Sequence, residues 1–109
     1  MGRQFDIIFL DACLIQKEDD SICPIRSFQR HAVIQHLAEL VGKKGIVFVN
    51  VVSRSSTKVL KEMISAKYDQ HFKYRKQTRV EGTGNYILSY SQYKYEGLAS
   101  SSAFEMKDV

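Results

Sequence analysis

Phe5-Asp6-Ile7-Ile8-Phe9-Leu10-Asp11-Ala12 is an apolar run that ends abruptly on a carboxylate. A segment apolar on both faces is what a strand in a covered parallel sheet requires. In open α/β sheets, ligands bind beyond the carboxyl ends of the strands, so an acid at that point can face a substrate or a cofactor. Asp11 is therefore the first candidate functional residue. Because Asp also favours turns, a plain cap or turn is the alternative reading of the same position.

Downstream of this strand, Gln16-Lys17-Glu18-Asp19-Asp20-Ser21 is a polar, acid-rich loop, and Pro24 lets the chain re-enter ordered structure. From Ser27 the apolar spacing changes to three and four residues, through Phe28, Ala32, Leu37, Leu40 and Val41. This predicts an amphipathic helix with Ser27 as N-cap and Gly42 as its stop. Ile46-Val47-Phe48-Val49-Asn50-Val51-Val52 follows as a second buried strand rich in β-branched residues. Ser55 or Ser56 opens a second helix, with an apolar stripe expected at Val59, Leu60, Met63, Ile64 and Ala66. Residues 72–80 read as a third strand with the half-polar, lysine-bearing character of a sheet edge. Gly82-Thr83-Gly84-Asn85 supplies hairpin turn chemistry, and Tyr86-Ile87-Leu88-Ser89-Tyr90-Ser91 returns as a fourth strand.

Strand, helix, strand, helix, strand, strand is the order of an α/β unit, with a helix-linked parallel pair and a closing antiparallel hairpin. Its opening strand is too apolar for a comfortable free edge, so something is expected to cover it. From Gly97 onward the chain is Ser-rich and non-periodic, and residues 97–109 are expected to form a flexible tail.

The bulk properties narrow the function class. A chain of 109 residues, 44% apolar with six Tyr and six Phe, is one small domain or part of a larger one. Its formal charge of +4 slightly favours an anionic partner, although a charge this modest is ordinary for solubility. Cys13 and Cys23 have no further Cys or His at zinc spacing, so the expectation is no metal site and reduced thiols in a cytoplasmic protein. Cys23 beside Pro24 reads as a packed turn residue rather than a reactive thiol. No apolar run approaches the roughly 18 residues of a membrane span.

Three stretches together resemble one family. Phe5 to Asp11, then Ser21-Ile22-Cys23-Pro24 with Phe28 shortly after, then Gly45 to Arg54 with its internal Asn50, are similar to the carboxyl-terminal half of a class I S-adenosylmethionine-dependent methyltransferase. Within that class they look like the spermidine-synthase-like branch, most similar to the methyltransferase-like proteins that modify translation elongation factor one-alpha. The resemblance implies the C-terminal half of a Rossmann-like sheet over residues 1–96, with S-adenosylmethionine as cofactor and a protein amine as acceptor. It further implies that Asp11 and Asn50 are catalytic, that Asp11 and Ala12 touch the cofactor, and that Asp11, Pro24 and Asn50 line the acceptor site.

The chain departs from the family pattern in two places. Ala12-Cys13-Leu14-Ile15 stands where further acids and a Ser are usual. No Gly-x-Gly-x-Gly turn follows a strand, and Gly82-Thr83-Gly84 lies between two strands rather than between a strand and a helix. The cofactor half is thus absent from these residues, and the isolated chain is expected to be an inactive fragment that binds the cofactor weakly or not at all. Its bare first strand is expected to pair with itself or with another polypeptide.

A competing reading is a small nucleic-acid-binding or dimerising module. Lys67 to Lys76 interleaves basic and aromatic side chains, and Tyr86, Tyr90, Tyr93 and Tyr95 could extend a stacking surface. Strand alternation disfavours it, since Phe72 and Tyr74 would then face the core while Lys73, Arg75 and Arg79 face water. His31, His36 and His71 read as ordinary surface or core histidines, because a five-residue spacing does not place His31 and His36 on one helix face.

Overall fold

The computed structural model describes residues 4–11, 13, 21–24, 26–95 and 105–106. Strand β1 (Ile7–Leu10) is followed by a short β2 (Ser21–Cys23), a 3-10 turn (Arg26–Gln29) and helix α1 (His31–Val41). Then come β3 (Ile46–Ser53), α2 (Thr57–Tyr68), β4 (Tyr74–Arg79), β5 (Tyr86–Ser91) and β6 (Glu105–Met106). The main sheet has the order β1-β3-β5-β4-β6, and β2 pairs with the far end of β3.

β1 and β3 are parallel, with Leu10 opposite Val49. β5 is antiparallel to both β3 and β4, so the last strand returns between its predecessors and leaves β3 and β4 pointing the same way. The expected mixed α/β sheet with a closing hairpin is therefore observed. The hairpin turn forms as its glycines require: Gly82 and Gly84 take φ of 84° and 76°, and Val80 N donates to Asn85 O at 2.8 Å.

Crossovers between parallel strands are right-handed, so two successive ones running in the same direction lay both helices on one face. The core shows this. Leu10, Val47, Val49, Val51, Leu88 and Tyr90 pack with Ile34, Leu37, Val41, Leu60, Ile64 and Tyr68 in one buried cluster. Alternation sends Ile7, Phe9, Phe48, Asn50 and Ile87 to the opposite face, which no helix among the described residues covers. Phe9 is 73% exposed and Ile7 54%.

Several local expectations are corrected. α1 starts at His31 rather than after Ser27, because Gln29 Nε2 donates to Pro24 O (3.0 Å) and Tyr68 Oη to Phe28 O (2.8 Å), holding the preceding segment as a tight turn. Its end at Gly42 is as expected, with φ of 64° and N–H donated to Ala38 O. α2 is capped by Ser56, whose Oγ accepts from Val59 N. The apolar stripe of α2 is rotated: Val59 is 60% exposed and Met63 is exposed too, while Leu60, Ile64 and Tyr68 face the sheet with the stem of Lys61. Arg75, expected in water, is largely covered and pairs with Asp69 at 3.3 Å. Glu105–Met106, inside the stretch expected to be a flexible tail, pair with Arg75 and Tyr74; the residues around them lie outside the described set.

Candidate functional site

The site arises where β1 stops and β3 continues. Extending the parallel register by one residue past Leu10 and Val49 sets Asp11 beside Asn50. Asn50 Nδ2 donates to Asp11 Oδ1 at 3.1 Å. Because β1 leaves the sheet at this point, the space beside the end of β3 is taken by β2, with Cys23 opposite Val52. Two polar side chains are thus raised at the carboxyl end of a parallel strand, the position where α/β sheets bind ligands.

Asp11 and Asn50 border a concavity of about 420 Å³ on the uncovered face, lined also by Phe9, Phe48, Ile87, Val80 and Asn85. Phe9 and Phe48 form its floor, stacked with ring centroids 4.8 Å apart. Asn85 and Val80 come from the β4–β5 hairpin, folded back toward the ends of β1 and β3. With its Nδ2 directed at Asp11, Asn50 presents its Oδ1 as an acceptor, so the pair offers carboxylate and carbonyl oxygens above an aromatic floor. Such a rim can take hydrogen bonds from an amine.

Of the residues expected at the site, Asp11 and Asn50 are brought together. Ala12 lies outside the described residues. The Pro24 ring is fully buried behind Cys23, and its carbonyl accepts from Gln29. The floor residues Phe9, Phe48 and Ile87 were not anticipated. Parity was the available signal, since Phe48 stands two residues before Asn50 on the same strand and must share its face.

The cysteines are a correction. Cys13 and Cys23 form a disulfide with Cα atoms 4.5 Å apart, because the return of the chain from β1 to β2 brings both to the end of β3. Cys13 Sγ lies 3.3 Å from Asp11 Oδ1, and Asp11, Cys13 and Cys23 group their potential ligand atoms within 4.8 Å. With the sulfurs bonded to each other neither offers a thiolate, so the cluster is not a metal centre in this state.

Three aromatic residues of the nucleic-acid reading belong to the core. Tyr68, Phe72 and Tyr90 are buried and stack on one another, with Tyr68 and Tyr90 centroids 5.2 Å apart. They have no face to offer a base. Burial pushes the phenols of Tyr68 and Tyr90 far above their ordinary range, and the charge of Asp69 adds to the shift at Tyr90. His31 Nδ1 lies 3.1 Å from His71 Nε2, whereas His36, further along the same helix, has its Nδ1 3.8 Å from Glu39 Oε1.

Neither a scan of protein-family models nor a search of curated proteins finds a match to this sequence. Among solved structures, the chain is similar to human methyltransferase-like protein 13 in its complex with SAH, with a TM-score of 0.74 and 23% identity over 90% of this chain. The likeness is one of fold: this mixed α/β sheet matches part of that methyltransferase. The chain spans 43% of the length of that structure, so the likeness covers less than half of the larger protein. No helix among the described residues is long and apolar enough to cross a membrane.

Proposed function

We propose that this chain forms the acceptor-side half of an S-adenosylmethionine-dependent methyltransferase domain that modifies an amine of a protein, with the spermidine-synthase-like branch and a translation elongation factor as the nearest family and acceptor. The observation that carries the reading is the Asp11–Asn50 pair at the carboxyl end of β1, on a sheet with a methyltransferase fold. An amine attacks as its neutral form through its lone pair. Oxygens of Asp11 and Asn50 that accept its N–H groups would turn that lone pair away from the rim and toward the methyl donor. The concavity suits an acceptor presented on a larger surface, since Asp11 and Phe9 are both exposed.

The residues at hand do not hold the cofactor by themselves. The sequence contains no glycine-rich strand-turn-helix to cradle its methionine end. The geometry favours completion along β1. A parallel strand added to its free edge, continuing outward through right-handed crossovers, would place its helices on the face opposite α1 and α2. That layer would cover Phe5, Ile7 and Phe9, and would set a topological switch point beside Asp11. Association of two copies through the same edge is the competing arrangement.

Titration calorimetry of the 109-residue chain with S-adenosylmethionine tests the reading. No saturable heat is expected from the chain alone, and tight binding would refute the half-site proposal. Addition of a polypeptide carrying the glycine-rich half of a related methyltransferase should restore binding and labelled methyl transfer to a protein amine. A completed domain that binds the cofactor yet transfers equally well with Asn50→Ala would remove the role given to the Asp11–Asn50 rim.

A further inference from the structure

We infer that Cys13 and Cys23 form a thiol–disulfide exchange site for small thiols and disulfides of the glutathione class, and that its redox state is read out at Asp11. The two sulfurs are unequal in access. Cys23 is 3% exposed, held in β2 against Val52 of β3, whereas Cys13 is exposed. An incoming thiolate therefore reaches the Cys13 sulfur, and Cys23 is the leaving thiol.

The exchange balances without a further reagent. A small thiolate bonds to Cys13 Sγ, the Cys13–Cys23 bond breaks, and Cys23 leaves as a thiolate that takes a proton from solvent. A second small thiolate then attacks the small-molecule sulfur of the mixed disulfide, releasing Cys13 as a thiol and forming the small disulfide. In the oxidising direction, Cys13 attacks the small disulfide and Cys23 resolves the mixed disulfide by displacing the second small thiol.

The position of Cys13 Sγ, 3.3 Å from Asp11 Oδ1, connects this chemistry to the rim. A disulfide sulfur has no proton to donate, so in the oxidised state Asp11 Oδ1 accepts from Asn50 and faces sulfur lone pairs. In the reduced state the Cys13 thiol becomes a second donor to the same oxygen. The acceptor strength of Asp11 toward a bound amine is then lower in the reduced form. The bound amine belongs to the function proposed above; the exchange at the sulfurs and their contact with Asp11 do not depend on methyl transfer.

The reduced chain is exposed to glutathione disulfide and adducts are mapped by mass spectrometry. Cys23→Ser should collect one glutathione on Cys13, while Cys13→Ser should collect none under native conditions. In the wild type, iodoacetamide should alkylate reduced Cys13 well before Cys23, an order that does not depend on either variant folding. Asp11 adds a charge signature: the reduction-rate ratio of cationic cysteamine to anionic 2-mercaptoethanesulfonate should fall by about threefold or more in Asp11→Asn at low salt. The Asn50 side-chain amide resonance should shift between the two redox states. Glutathione on Cys23, failure of wild-type Cys13 and Cys23 to reform their bond, or a rate ratio unchanged in Asp11→Asn would each overturn the assignment.

Discussion

Replacing Asn50 with Asp is nearly isosteric, yet it exchanges the donor that faces Asp11 Oδ1 at 3.1 Å for a second carboxylate. Two unit charges at about 3 Å repel by about 1.3 kcal/mol at the dielectric constant of water and by about 5 kcal/mol at an effective value near 20. Asp11 is exposed, so the lower end applies. The expected destabilisation at neutral pH is about 1–2 kcal/mol, which moves a urea midpoint by roughly 1 M for a domain of this size. The penalty has a defined pH dependence. Like-charge repulsion raises the folded-state titration point of one of the two carboxyls above its unfolded value. The stability difference between Asn50→Asp and wild type is therefore absent in acid, where both are protonated, and grows as pH rises through the raised value. Urea titrations of both proteins between pH 3 and pH 7, in the same disulfide state, measure it. A difference independent of pH would show that the two side chains do not meet, and the rim described above would not exist.

The rotated face of α2 predicts that Leu60→Ala costs about 2–5 kcal/mol by leaving a core cavity while Val59→Ala costs less than about 0.5 kcal/mol, read from urea midpoints. Buried Tyr68 and Tyr90 have titration points raised by folding, so they contribute stability that is complete below pH 10 and lost above it. Urea midpoints should fall above about pH 10, and less steeply in Tyr68→Phe, which should also lose about 1 kcal/mol at neutral pH with the Phe28 hydrogen bond. A methyl group at Gly45 would collide with the carbonyl oxygens of Val41 and Phe5, so Gly45→Ala should lower the thermal midpoint by several degrees, about 4–8 °C for each kcal/mol lost.

Strands β1, β3, β4 and β5 were legible because their signals are local, whereas β6 falls in the stretch expected to be a flexible tail. Apolar runs at β1 and β3, and glycine turn chemistry before β5, do not depend on distant residues. Three further features were not legible, and each depends on partners remote in sequence. Tyr68 and Gln29 hold the turn that delays α1. The α2 stripe is set by which flank of the helix meets β3 and β5, and Val59 and Leu60 are equally apolar in a sequence window. The cysteine pairing depends on β2, three residues whose pairing with β3 exists only because β1 has already left the sheet. At the site, Asp11 and Asn50 could be named from strand ends and family resemblance, but their meeting follows from parallel register.

The same register fixes what this chain builds by itself. The floor and rim of the concavity come from β1, β3 and the β4–β5 hairpin, and the strands are locked by continuous pairing from Ile46 to Val51 across to Ser91 and Tyr86. Their other face is packed against α1 and α2, so the concavity does not wait on a partner for its shape. Among the described residues nothing pairs with the β1 edge or covers the face carrying Phe5, Ile7 and Phe9, where any covering layer would meet the sheet beside Asp11 rather than through it. Completion of the domain would then add a wall to a rim already formed. On the proposed reading, loss of that wall should abolish cofactor binding while leaving the Asp11–Asn50 contact, and its pH signature in Asn50→Asp, unchanged.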